Sequence, residues 1–455
     1  MTKGYCNKIK ISKLNYLIIS NGVIIFVGEL CMNDFKSEKY LEILKEEMVP
    51  ALGCTEPIAI AFAAAKARDI LGNFPTMIKI YCSGNIIKNV RSVVVPNTGG
   101  LKGIEASVLA GIVGGIADKE MEVLSHLEEQ HAFLVEELMG TGICQILSLS
   151  SEKSLHIIIE VSANQDSVTV EIQDFHTNIV KIEKNGQKVY EKSISFENYL
   201  GTLTDRSILN VDDIFYFAES IDIEKVGTLI KQQITNNMAI AEEGLKGFYG
   251  INIGETLLNY GPPSIFNKIK AYTASASEAR MSGSEYPVIT NSGSGNQGIA
   301  SSIPVIIYAQ EKGIDEEQLI RALVLANLLT IHQKTLIGRL SAFCGVVSAS
   351  CSSGAAITYL SRGSLEQIKM TITNTLANVS GIVCDGAKPS CGIKIAASLD
   401  AAMMAHLLAM DNKAYLPGDG LIKSNVEDTI SSVGRVARDG MKVTDEQILK
   451  IMLEC

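Results

Sequence analysis

The 455-residue chain contains no tryptophan, only six histidines and no Cys-x-x-Cys pair. The missing Cys-x-x-Cys spacing removes the strongest sequence signal for a metal or redox site. None of the histidines is paired at metal-ligand spacing on a convincing helix. Positive charge is also short: 40 Lys and Arg against 50 Asp and Glu leave a formal net charge of −10. That balance argues against a nucleic-acid partner, which needs a broad basic face. There is no Walker loop and no dinucleotide fingerprint. Internal repeats and low-complexity linkers are absent. Beyond the N-terminal stretch, no run reads as long and apolar enough for a membrane helix.

What is there fits a globular protein. The composition is 47% hydrophobic and 20% charged, which excludes disordered and fibrous classes. The length suggests two or three domains and allows a large core. Ten cysteines are too sparse for a disulfide scaffold, so a reducing cytosol is the expected compartment and thiols or metal ligands the expected state.

The stretch from Leu17 to Leu30 is apolar and follows Lys3, Lys8, Lys10 and Lys13, which superficially resembles a signal peptide. Asn21 and Gly22 interrupt it, and no A-x-A-like site follows. A short strand pair turning at Asn21–Gly22, or a non-native leader over residues 1–31, is the expectation. From Met32 onwards the pattern is conventional. Residues 32–200 read as an α+β part: a helix over Lys36–Met48, an Ala-rich helix over Ile58–Leu71 with Thr55 as N-cap, and strands over Met77–Cys82 and Val90–Val95. A further helix is expected over Glu105–Ala117. A strand meander then runs from Leu155 to about Lys192, with turns at Asn164–Asp166 and Asn185–Gly186. Residues 201–455 read as all-α. The fold class expected is therefore α+β, with a strand-containing N-terminal and middle part and a large all-α catalytic part. The Ala-rich helix can pack against either.

Three cysteines in the α part stand out. Cys344 lies in Ser341-Ala342-Phe343-Cys344-Gly345, and Cys384 and Cys391 lie in VCDGAKPSC. Three thiolates suit a zinc site or an iron–sulfur cluster with one open corner. Buried packing thiols are the competing reading. Cys54 precedes a helix N-terminus, where positive partial charge lowers a thiol pKa. A thiolate base, an additional ligand and a packed residue beside a cap all remain open for it. The loop from Ser292 through Gly293, Ser294, Gly295 and Asn296 to Gly298 can hold a substrate anion on backbone N–H groups. Lys388 either pairs with a substrate carboxylate or faces solvent. His332 suits a structural role better than a pocket. Glu56 and Asp385 sit beside cysteine motifs as hydrogen-bond partners.

Taken together, GCTEPIAIAFAAAKA at Gly53–Ala67, SGSGNQG at Ser292–Gly298, SAFCG and VCDGAKPSC resemble the serine dehydratase-like family that includes L-cysteine desulfidase. The resemblance covers nearly the whole chain after Met32. It implies an oxygen-sensitive [4Fe–4S] enzyme without pyridoxal phosphate. Cys344, Cys384 and Cys391 match the three cluster ligands of the related iron–sulfur L-serine dehydratases, and Cys54 matches the N-terminal cysteine of the desulfidase branch. The implied reaction is α,β-elimination of L-cysteine to sulfide, ammonia and pyruvate, with Cys54 as base and the 292–298 loop binding substrate. L-serine dehydration, a non-catalytic metal or redox sensor and an amino-acid-binding protein are the alternatives. Cys455 is either a cap on the open iron, as in related dehydratases, or an inert tail. The expected partner is a small amino acid, not nucleic acid or a membrane, and a homo-oligomer is compatible with these features.

Overall fold

The computed structural model describes residues 34–192 and 203–454, together with the backbone of strands Ile9–Ile11, Leu14–Ser20 and Val23–Phe26 (β1–β3). Strands β2 and β3 pair antiparallel with Ser20 opposite Val23, in keeping with the expected strand pair. Asn21, Gly22, Cys6, Cys31 and Cys455 lie outside the described residues.

Helix α1 spans Asp34–Glu47, and a two-residue strand β4, Pro50–Ala51, leads into helix α2, Thr55–Leu71. The N-cap of α2 is Cys54, not Thr55, and no side chain caps it. Thr55 instead turns its hydroxyl onto Glu56. Strand β5 (Met77–Cys82) is followed by helix α3 (Gly84–Val90) and helix α4 (Gly103–Gly114). The expected strand over Val90–Val95 does not form; only Val94 makes an isolated bridge, to Lys102. The reason lies in the sheet. Both edges of β5 are already paired, one antiparallel to β7 (His156–Ala163) and the other parallel to β6 (Cys144–Ser148). Strand β5 has no edge left for a further strand; Val90 ends α3, and Val93 and Val95 are buried in the irregular segment that follows it.

The meander continues through β8 (Asp166–Gln173), β9 (Ile179–Lys184) and β10 (Gln187–Glu191), giving the order β10-β9-β8-β7-β5-β6. Period-2 alternation puts Ile157, Ile159, Val161, Val168, Val170 and Ile172 on one buried face. The Ala-rich α2 covers that face, so it belongs with the sheet. Helix α4 crosses it closely: a Cβ on Gly111 would stand 2.2 Å from the Ala61 carbonyl oxygen.

The remainder is helical: α6 (Val211–Ser220), α7 (Ile223–Gly244), α8 (Ile253–Tyr260), α9 (Ile265–Met281), α10 (Gly295–Lys312), α11 (Glu316–Ile337), α12 (Val346–Leu360), α13 (Leu365–Asn378), α14 (Cys391–Met410), α15 (Val426–Arg435) and α16 (Lys442–Leu453) follow the short α5 (Glu129–Leu138) of the first part. This is an α+β protein with a large helical part. Tyr40, Ile43, Leu44 and Met48, on and just after α1, pack into the helical core, so that end of the 32–200 segment sits with residues 203–454. Helix α14 is long and apolar enough by composition to cross a membrane, contrary to the sequence expectation that no such run exists. Here it is a core helix: Ile395, Leu399, Ala402 and Met403 are buried in the same cluster as α11 and α12.

The two cores are joined by, among other contacts, an antiparallel pair of β4 with β11 (Val288–Ile289), where Ala51 faces Val288 and Pro50 faces Ile289. That pairing sets the start of α2 beside the start of α10.

Candidate active site

Four helices begin around one small cavity of ≈ 90 Å³: α2 at Cys54–Thr55, α10 at Ser294–Asn296, α12 at Gly345–Val346 and α14 at Cys391. None of the four carries a side-chain cap. Their unsatisfied N–H groups and aligned dipoles make the cavity favourable to anions. Arg280, Lys334 and Arg339 add cationic side chains to the same wall.

All four cysteines singled out by the sequence, Cys54, Cys344, Cys384 and Cys391, line this cavity. Two short segments hold Cys344 and Cys384 side by side. The Cys344 N–H donates to the Ile382 carbonyl (2.8 Å) and the Cys384 N–H to the Ala342 carbonyl (2.7 Å). Gly386 presses this loop onto α3: with φ +94°, its absent Cβ would lie 2.3 Å from the Lys88 carbonyl oxygen. Asp385 braces the loop by pairing with Lys388 at 2.6 Å and with Lys394. The Cys344 thiol hydrogen-bonds to Cys384, which holds the Cys384 thiol below its ordinary range against the effect of burial, with Lys88 and Lys394 assisting. That same bond, with burial, pushes Cys344 up. Burial lowers the Lys334 ammonium to about 8, although Cys384 and Cys344 pull it back up.

Cys54 is 2% exposed and donates to Glu56 Oε2 at 3.1 Å. The thiol pKa is raised, first by burial and then by the Glu56 charge, with Arg280 opposing. This reverses the lowering expected from the helix N-terminus: desolvation beside a carboxylate outweighs the dipole. Glu56 also accepts from Thr55 (3.1 Å) and Asn89 (3.0 Å). His176, on the β8–β9 loop, approaches it at 3.9 Å, an ion-pair distance too long for a hydrogen bond. Burial would raise the Glu56 carboxyl, but His176, Cys54 and the backbone N–H hold it at about 2.

Of the expected substrate loop, Ser292, Gly293, Ser294 and Asn296 line the cavity. Asn291 and Ser294 exchange backbone hydrogen bonds of 3.1 and 3.0 Å, closing a tight turn. Gly295 is not in the lining but admits Arg280, whose Nε lies 2.3 Å from where a Cβ would stand. Lys388 stays outside the lining, paired with Asp385. His332 is bound to Glu427 at 2.7 Å, the structural role expected for it. Sequence reasoning missed Arg280, Lys334, Arg339, His176 and Asn89. Each stands in a stretch without a motif, and only the fold brings them here. Arg339 is itself committed, pairing with Glu47 at 2.9 Å and stacking 4.0 Å over the Phe175 ring.

Fold and cavity together define an α+β protein with a large helical part and a buried, thiol-lined, anion-favouring site. A family model described as serine dehydratase alpha chain matches residues 110–450, and the chain belongs to that family. The membership supports a lyase-type enzyme. The matched segment contains Cys344, Cys384, Cys391 and the 292–298 loop, but not Cys54. The chain is also 50% identical over 430 residues to a UPF0597 protein of Treponema denticola, covering 93% of this chain and 100% of the relative. It is 49% identical over 416 residues to one of Lachnoclostridium phytofermentans (91% and 99% covered). A third, from Desulfitobacterium hafniense, is 48% identical over 416 residues (91% and 96%).

Proposed function

We propose that the chain is a pyridoxal-phosphate-independent carbon–sulfur lyase that converts L-cysteine to sulfide, ammonia and pyruvate in the cytosol, with a [4Fe–4S] cluster held by Cys344, Cys384 and Cys391. The observation that carries the reading is the convergence of those three thiols and Cys54 on one buried cavity. The donor set fits the group. Among the described residues no cluster of His, Cys, Asp or Glu is disposed to hold a single metal ion. Three thiolates would hold three irons of a [4Fe–4S] cluster and leave the fourth open. The four helix N-termini and Lys334 suit its anionic ligands. Bound there, the cluster supplies a Lewis-acidic iron with an open site for substrate.

The chain's own residues do the rest. The uncapped start of α10 and the Ser292–Asn296 turn present N–H groups to a substrate carboxylate. Cys54 takes the Cα proton. Its resting state is a thiol bonded to Glu56, so its proton must first pass to that carboxylate; its raised pKa then makes the thiolate a strong base. With the proton on Cys54, the Cβ–S bond breaks and sulfide leaves. The aminoacrylate released tautomerises and hydrolyses to pyruvate and ammonia. Replacing Cys54 with Ala should lower elimination by a factor of ~10²–10⁴ while cluster absorption persists. Loss of that absorption would make Cys54 a ligand instead.

The family match favours a second reading, L-serine dehydration at the same site with hydroxide leaving. Anaerobic purification, iron and sulfide analysis, and turnover of L-cysteine and L-serine on one sample decide between them. A folded protein free of iron and sulfide would overturn both and leave a binding protein.

A further inference from the structure

Ten buried side-chain nitrogen and oxygen atoms among the described residues have no hydrogen-bond partner, and five belong to residues lining the one cavity: Asn89 Oδ1, His176 Nε2, Arg280 Nε, Arg280 Nη2 and Gln297 Oε1. Folded proteins leave few such atoms, so this concentration points to a ligand that satisfies them.

Arg280 is the centre of it. The residue is 2% exposed, and its Nη1 donates to Asn296 Oδ1 at 3.1 Å. The neighbouring carboxylates are occupied elsewhere. Glu278, on the same helix, accepts from the N–H groups of Ile251 (2.9 Å) and Ile253 (2.7 Å). Glu56 is taken by Cys54, Thr55 and Asn89. The two idle nitrogens, Nε and Nη2, form one edge of the planar guanidinium. That edge takes both oxygens of a carboxylate in parallel hydrogen bonds. Gly295 lets the group lie flat against the start of α10, where any larger residue would strike it. The remaining idle oxygens, on Gln297 and Asn89, are acceptors and suit an ammonium.

We propose that Arg280 binds the substrate α-carboxylate side-on through Nε and Nη2, with Gln297 and Asn89 receiving the α-ammonium, so that the site selects free zwitterionic α-amino acids over amides, esters and peptides. This deepens, and rests on, the reading of the cavity as an amino-acid lyase site.

The test is calorimetric titration of the anaerobically purified holoprotein with L-alanine, which has both charged groups and no leaving group, and with L-alaninamide, which lacks the carboxylate. Wild type is expected to bind L-alanine at least ~10-fold more tightly than the amide. Arg280→Gln should weaken L-alanine roughly 10- to 100-fold, erase the preference and leave cluster absorption unchanged. Arg280→Lys should recover part of the affinity, since it keeps the charge but not the two-point geometry. Equal wild-type affinity for both ligands, no binding of L-alanine, or a preference that survives in Arg280→Gln overturns the proposal. If the variant fails to fold or to load the cluster, the comparison of the two ligands on wild type decides. Preference for L-alanine in a protein that eliminates neither cysteine nor serine keeps the proposal and overturns the lyase reading; elimination without that preference overturns the proposal alone.

Discussion

Glu56 is the residue on which the cavity's chemistry turns. It is a fully buried carboxylate, ionised because Cys54, Thr55 and Asn89 donate to it and His176 stands beside it. Its ordinary pKa of 4.5 falls to about 2 in the fold. A depressed carboxyl adds stability above its unfolded pKa and loses it as pH drops through the folded one. The shift corresponds to about 3 kcal/mol. Glu56→Gln should therefore cost about that much in urea unfolding at pH 7, and the gap to wild type should close as pH falls from about 5 to 2. A gap constant over that range would show that Glu56 is not held ionised by these partners. At this scale the sequence is uneven. Cys344, Cys384 and Cys391 announce themselves because thiols on short, glycine-containing motifs are rare. Arg280 does not: in ASASEARM it is one cation among forty, and its role comes from burial and two idle nitrogens that only the fold reveals.

Among the elements, helix starts matter more than helix bodies. Helix α10 must begin within reach of Arg280, and Gly298 sets where it lies. A Cβ there would stand 2.0 Å from the Ile289 carbonyl oxygen, backbone that cannot swing aside. Gly298→Ala should push α10 off β11, lowering stability by about 1–3 kcal/mol and raising KM for the amino acid while cluster absorption survives. Denaturation and steady-state kinetics on one sample check both, and an unchanged KM would free the α10 start from a substrate role. Why some elements were legible and others not follows from exposure. The meander reads clearly because one face of β7 and β8 is buried and the other half-exposed, which writes period 2 into the chain. Helix α9 has no stripe to read: from Ala274 to Met281 every residue is buried, so small residues on all sides replace an amphipathic pattern. Val90–Val95 failed for a different reason. Its β-branched residues carry strand propensity, but β5 had no free edge to offer, and tertiary pairing overrode local preference.

For the molecule as a whole, the site is a seam. Cys54, Glu56 and Asn89 come from the sheet-and-helix core; Arg280, Cys344, Cys384 and Cys391 come from the helical one. Among the described residues the direct strand contact between the cores is the short β4–β11 pair. A group bound in such a seam stabilises the joint more than either core, because it binds only when both walls are in place. A ligand at a thousandfold excess over its Kd adds about 4 kcal/mol. Protein stripped of iron under anaerobic conditions should melt at a lower temperature than the loaded form. The loss should also be local. Hydrogen exchange should accelerate at residues 50–56, 288–296, 342–346 and 382–391, while amides in the middle of β7 and of α11, deep in the separate cores, should keep their protection. Uniform loss of protection would mean that the two walls belong to one cooperative core. Exchange and melting that ignore iron altogether would take it out of this seam and, with it, the three cysteines out of the role of ligands.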